Sequence, residues 1–169
     1  MTINTVNETE RMTVTRVFDA PRELVWKAWT DPHYIMQWWG PKGFTAPFCE
    51  MDFRVGGKFL CCMRTPDGQE GWNAGEYHEI VLHEKIVYSM YFSDSKGNKV
   101  EPEEYGIEHE AIDDARDVVI FEDFGNGQTK LTLIGSEPME SAKYSGQLEG
   151  WDEQLDKVAA VVAGLAQAK

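Results

Sequence analysis

Gly146-Gln147-Leu148-Glu149-Gly150-Trp151-Asp152-Glu153-Gln154-Leu155-Asp156-Lys157-Val158 lies within a stretch, residues 142–167, whose period decides the fold. Tyr144, Leu148, Trp151, Leu155, Val158, Val162 and Leu165 recur at steps of three and four. That period predicts one long amphipathic helix, with Ser141 as its N-cap. Gly146, Gly150 and Gly164 each lower helix propensity by up to about 1 kcal/mol relative to alanine. On a helix that faces a sheet, such glycines allow close approach or leave room for a ligand.

Upstream the period changes. Residues 12–18 alternate as a first strand. Pro21 opens a helix at its first turn, and Leu24, Val25, Ala28 and Trp29 give it an apolar face. Asp31-Pro32 repeats the start signal for a short second helix carrying Ile35, Trp38 and Trp39, which Gly40-Pro41 ends. Six strand-like stretches follow, at residues 45–55, 58–64, 72–81, 86–92, 118–122 and 129–134. Pro66-Asp67-Gly68 and Gly125-Asn126-Gly127 are hairpin signals. Strands joined without helices between them imply an antiparallel meander. A single sheet with one long helix buries its apolar face only by wrapping around that helix. The predicted class is α+β, in the order β-α-α-β6-α. Residues 1–169 read as a single domain, with a polar tail at 1–10 and an acidic insertion or loop at 94–117, the latter poor in apolar residues and expected to make few core contacts.

The chain has 169 residues and a formal net charge of -13. A surface of that sign repels phosphates and anionic headgroups, so neither nucleic acid nor a membrane is an expected partner. No signal peptide and no membrane-length apolar run stand out, and a cytoplasmic location is the expectation. Cys49, Cys61 and Cys62 lack metal-type spacing and read as reduced, packed thiols. A homodimer is compatible with the sequence.

The residues also carry a resemblance. Phe18-Asp19-Ala20-Pro21-Arg22-Glu23-Leu24-Val25-Trp26, Thr30-Asp31-Pro32 and Trp38-Trp39-Gly40-Pro41 resemble the opening of the AHSA-type branch of the START-like (SRPBCC) superfamily. Gly56-Gly57, Gly75-Glu76-Tyr77-His78-Glu79-Ile80, Thr129-Lys130-Leu131-Thr132-Leu133 and Gly150-Trp151 continue the match in order, over nearly the whole chain. The branch takes its name from an activator of the ninety-kilodalton heat-shock protein's ATPase. The resemblance implies a helix-grip fold with a cavity between sheet and long helix. It does not imply co-chaperone activity, because the eukaryotic activator also uses a separate N-terminal domain.

Alternation assigns the inward faces: Phe59, Cys61 and Met63 on one strand, Tyr88, Met90 and Phe92 on another, then Val119 with Phe121 and Leu131 with Leu133. Leu148, Trp151 and Leu155 face them from the helix. The candidate ligand-binding residues are Trp39, Phe59, Met63, Tyr88, Met90, Phe92, Phe121, Leu148, Trp151 and Leu155. An apolar, methionine-containing lining suits a ligand pocket, and the same residues would equally fill a close-packed core.

No nucleophile motif, phosphate loop or paired-histidine metal motif is present. His33, His78, His83 and His109 are not spaced to converge, and neither a metal nor a cofactor is expected. Glu79 is a weak candidate for a general acid or base, on the reading that it alternates inward with Gly75 and Tyr77. Glu149 and Asp152 read as solvated groups flanking Trp151. The leading expectation is therefore non-catalytic binding of a small hydrophobic molecule. A small acid–base enzyme using the same cavity, and a stress-response or co-chaperone-like interaction protein, are the alternatives.

Overall fold

The computed structural model describes residues 11–106, 115–139, 142 and 146–167. Strand β1 (Arg11–Phe18) buries Met12, Val14 and Phe18 on one side. Helix α1 (Arg22–Thr30) starts after Pro21 and buries Val25, Trp26, Ala28 and Trp29. Helix α2 (Pro32–Trp38) has Pro32 at its first position. The Asp31 carboxylate caps it, accepting the His33 N–H at 2.9 Å. Then come β2 (Thr45–Met51), β3 (Lys58–Arg64), β4 (Glu70–Val81), β5 (Lys85–Ser93), β6 (Arg116–Gly125) and β7 (Gln128–Pro138), and last the helix α3 (Gln147–Gln167).

The seven strands form one antiparallel sheet in the order β1-β7-β6-β5-β4-β3-β2. This is an α+β helix-grip fold with the expected β-α-α-β6-α order. The β6–β7 turn shows why its sequence was legible. Gly125, Asn126 and Gly127 all have positive φ, at 83°, 54° and 75°, a region other residues rarely adopt.

Helix α3 is shorter than its sequence pattern. Gly146 stands at φ 79°, outside helical geometry, and the helix begins at Gln147. Ser141 and Tyr144 lie outside the described residues. From Trp151 onward the apolar period holds, with Trp151, Leu155, Val158 and Val162 buried. Tryptophans join α1, α2 and α3 to one another. Trp29 stacks on Trp151 with centroids 6.2 Å apart and sits 4.6 Å from Trp38. The Trp38 indole N–H donates to the Ala28 carbonyl at 2.8 Å. Arg16 of β1 pairs with Asp152 and Asp156 of α3 at 2.8 and 2.9 Å, so the first strand is tied to the last helix.

The start of the acidic stretch, residues 94–106, makes more contacts than its composition suggests. Its start is ordered by a tight turn in which Asp94 accepts the Lys96 and Asn98 N–H groups, each at 2.9 Å. Those bonds, the Asn98 one first, hold the Asp94 carboxyl below its usual range. Pro102 opens a 3-10 turn (Pro102–Tyr105) and is fully buried. Tyr105 packs on Phe92 and donates to the Ser93 carbonyl. Two ring-bearing residues therefore anchor a segment whose charges read as solvated. Residues 1–10 and 107–114, including His109, lie outside the described residues.

Candidate functional site

Strands β3, β4 and β5 pair so that inward residues fall into rows. Cys61 faces Asn73, which faces Phe92; Phe59 faces Gly75, which faces Met90; Met63 faces Gly71. The middle strand thus presents glycine, asparagine and glycine between bulky neighbours. At Gly75 the room is already taken, since a Cβ there would lie 2.4 Å from the Phe59 ring. At Gly71 the nearest group is the Tyr105 ring, 3.9 Å away. The space over Gly71 and Asn73 stays open.

Above this floor runs the first half of α3, and a cavity of about 470 Å³ separates the two. Gly150, Trp151 and Gln154 form its roof. Trp39, Pro41 and Phe44 close one side, and Tyr105 with Thr65, Gln69 and Glu70 the other. Small-molecule pockets commonly run to ~300–1,000 Å³. A second, apolar void of about 30 Å³ lies deeper, between Trp29, Trp38, Phe59, Tyr77 and Tyr88. It has room for little more than one water.

The wall beside Trp39 is fixed from the helix. The Gln154 Oε1 accepts the Gly40 N–H at 2.8 Å. The Lys157 ammonium donates to the carbonyls of Gly40, Pro41 and Phe44 at 2.8, 3.1 and 3.1 Å. Burial lowers the Lys157 pKa, with Glu153 opposing.

Of the candidate binding residues, Trp39, Met63, Met90, Phe92 and Trp151 line the large cavity. Phe59 and Tyr88 line the small void, together with Trp39. Phe121, Leu148 and Leu155 line neither. Phe121 meets Trp26 and Trp29, and Leu155 has no exposed surface. Leu148 is half-buried at the edge of the core. Alternation separated inside from outside, but not which inward residues meet a space and which meet each other. Asn73, Gln154, Phe44 and Tyr105 were missed. Gln154 was within reach of the sequence, because it sits three residues after Trp151 on the same helical face.

Glu79 requires correction. A bulge between Tyr77 and Glu79 shifts the register against β5, and the residue after the bulge turns outward. Glu79 is exposed and lies 3.4 Å from Lys85. The carboxylate that burial does perturb is Asp117, pushed up to about 6. It accepts the Ser136 N–H at 3.3 Å and faces Tyr88, whose phenol burial raises well above its usual value. Asp117 lines neither space.

Cys49 and Cys61 sit opposite each other on β2 and β3, with sulfurs 2.8 Å apart. The hydrogen bond to Cys49, followed by burial, raises the Cys61 thiol. Cys62 points to the other face, and burial pushes it up to about 11. His78 bonds the Ser89 hydroxyl at 2.8 Å, and His83 packs edge-on against Trp26. Among the described residues no three His, Cys, Asp or Glu side chains gather as a metal site, and no helix is long and apolar enough to cross a membrane.

The family model for activator of Hsp90 ATPase homolog 1-like (AHSA1) proteins matches residues 19–163. The chain belongs to this family. Solved structures agree on the AHSA1-like fold. An Arthrobacter aurescens protein is 27% identical with a TM-score of 0.73, the match covering 93% of this chain and 88% of that one. The AHSA1 protein of Silicibacter pomeroyi is 22% identical with a TM-score of 0.70, covering 90% of this chain and 96% of that one. A Mycobacterium smegmatis protein is 22% identical with a TM-score of 0.74, covering 91% of each. No curated protein matches the AHSA1-like sequence.

Proposed function

We propose that this AHSA1-like chain is one domain that binds a small, largely apolar molecule between its sheet and α3, and does no chemistry on it. The observation that carries the reading is the cavity of about 470 Å³. Exposed Gln69 and Glu70 stand at its edge, so the space opens to solvent and a ligand can enter it. Here glycines at 71 and 150 keep it open from both sides.

The acid–base alternative draws little support from the lining. The one carboxylate among the described lining residues, Glu70, is engaged by Arg64, whose Nε lies 3.1 Å away. The buried carboxyl of Asp117 stands elsewhere. The direct test is native mass spectrometry of freshly purified protein, paired with titration by an apolar fluorescent dye. A co-purified small molecule or one-to-one dye binding is expected. A folded protein that binds neither would overturn the reading and favour action through the surface.

A further inference from the structure

The cavity holds polar groups that the apolar reading leaves unused. Gln154 is 8% exposed and Asn73 is 7% exposed, and both line the space. The Gly40 N–H can only donate, so the Gln154 atom that receives it must be the amide oxygen. The other end of that amide is therefore an NH2 group held at the roof. Among the described residues neither this NH2 nor the Asn73 amide meets a protein partner. A third donor, the Trp39 indole N–H, is buried in the wall and also has none among them.

Charge narrows the choice further. Among the described residues no lysine or arginine lines the cavity, and the one charged residue that does is Glu70. Lys157 could reach a ligand only by releasing three backbone carbonyls. A carboxylate or phosphate buried here would meet no counter-charge among the described lining residues, under a net protein charge of -13.

We propose that the cavity selects an uncharged ligand with a carbonyl oxygen, a ketone or an amide, received by the Gln154 NH2 and the Asn73 amide. The rest of the ligand is an apolar ring system lying between Met63, Met90, Phe92 and Trp151. This rests on the ligand-binding reading and specifies the chemistry of the same site.

The test compares three fluorescent probes on the full chain: prodan, which is a neutral naphthyl ketone; its ketone-free parent, dimethylaminonaphthalene; and the matching naphthoate. The ketone should bind about tenfold tighter than the parent, and the naphthoate weakest. Gln154→Glu keeps the acceptor for Gly40 but replaces the donor, and Asn73→Leu removes the amide while keeping its branched shape. Each should bring the ketone-to-parent ratio below about threefold. In the wild type, the side-chain NH2 resonances of Gln154 should shift with ketone and not with parent. If Gln154→Glu fails to fold, Asn73→Leu and the resonances still decide. Equal binding of ketone and parent would overturn the polar subsite and leave the cavity reading intact. Tightest binding by the naphthoate would overturn ligand neutrality. Binding of none by folded protein would overturn both.

Discussion

The ammonium of Lys157, halfway along α3, lies 2.8 Å from the carbonyl oxygen of Gly40, at the end of α2. Further bonds to Pro41 and Phe44 make this one side chain the clasp of the loop beside the cavity. Hydrogen bonds to charged groups contribute about 1.5–3 kcal/mol. Lys157→Met keeps the apolar stem and removes all three bonds. Chemical denaturation should show a loss of about 2 kcal/mol, and amide exchange should quicken at Phe44. Unchanged stability together with unchanged exchange would mean the clasp is not needed.

Gly150 offers a way to fill the cavity from the helix. A Cβ placed there meets nothing nearer than Pro41, at 4.0 Å. Gly150→Leu should leave the melting temperature unchanged or raised, since replacing a helical glycine gains up to about 1 kcal/mol. Dye affinity should fall at least about tenfold. Full dye binding in this variant would place the ligand somewhere else.

Trp151 serves both roof and core. Its ring stacks on Trp29 and is 5% exposed. Truncating a buried tryptophan removes about 3–5 kcal/mol. Trp151→Ala should therefore lower the melting temperature steeply in a scanning calorimeter. A wild-type melt would contradict the packing of α3 described above.

Asp117 predicts a pH dependence. Burial raises its folded pKa from the ordinary 3.8 to about 6. A raised carboxyl pKa means the folded state holds the proton more tightly than the unfolded chain. The resulting stability is fully present below about pH 4 and is lost as pH rises to about 6. Over roughly two pKa units this amounts to about 3 kcal/mol. Asp117→Asn should flatten the stability curve across that window and make the protein more stable than wild type at pH 7. A variant with the same pH profile as wild type would show that another group titrates there.

Much of the fold was legible because each element announces itself locally. Pro21 and Asp31-Pro32 start helices, Gly125-Asn126-Gly127 turns a hairpin, and the spacing from Trp151 to Val162 admits only a helix. The site was legible in part. Period two places Met63, Met90 and Phe92 inward, and all three reach the cavity. The bulge before Glu79 was not legible, since a bulge adds one residue without a sequence signature of its own. Nor was the role of residues 102–105, where Pro102 is buried and Tyr105 packs on Phe92 from within a run of acids. The Gln154 contact with Gly40 joins residues 114 positions apart, a distance over which local pattern says nothing.

The sheet order has a consequence for how the chain is made. Among the described residues β1 precedes every other strand in the chain, and its one neighbour in the sheet is β7. Phe18 pairs with Thr129, so more than a hundred residues must be translated before that edge finds its partner. The roof of the cavity emerges later still. Throughout that interval the nascent chain carries an unpaired strand and an uncovered floor of methionine and aromatic side chains, features that invite aggregation during synthesis. Ribosome-associated holding factors should therefore meet this protein for most of its translation, and release it only once α3 has emerged.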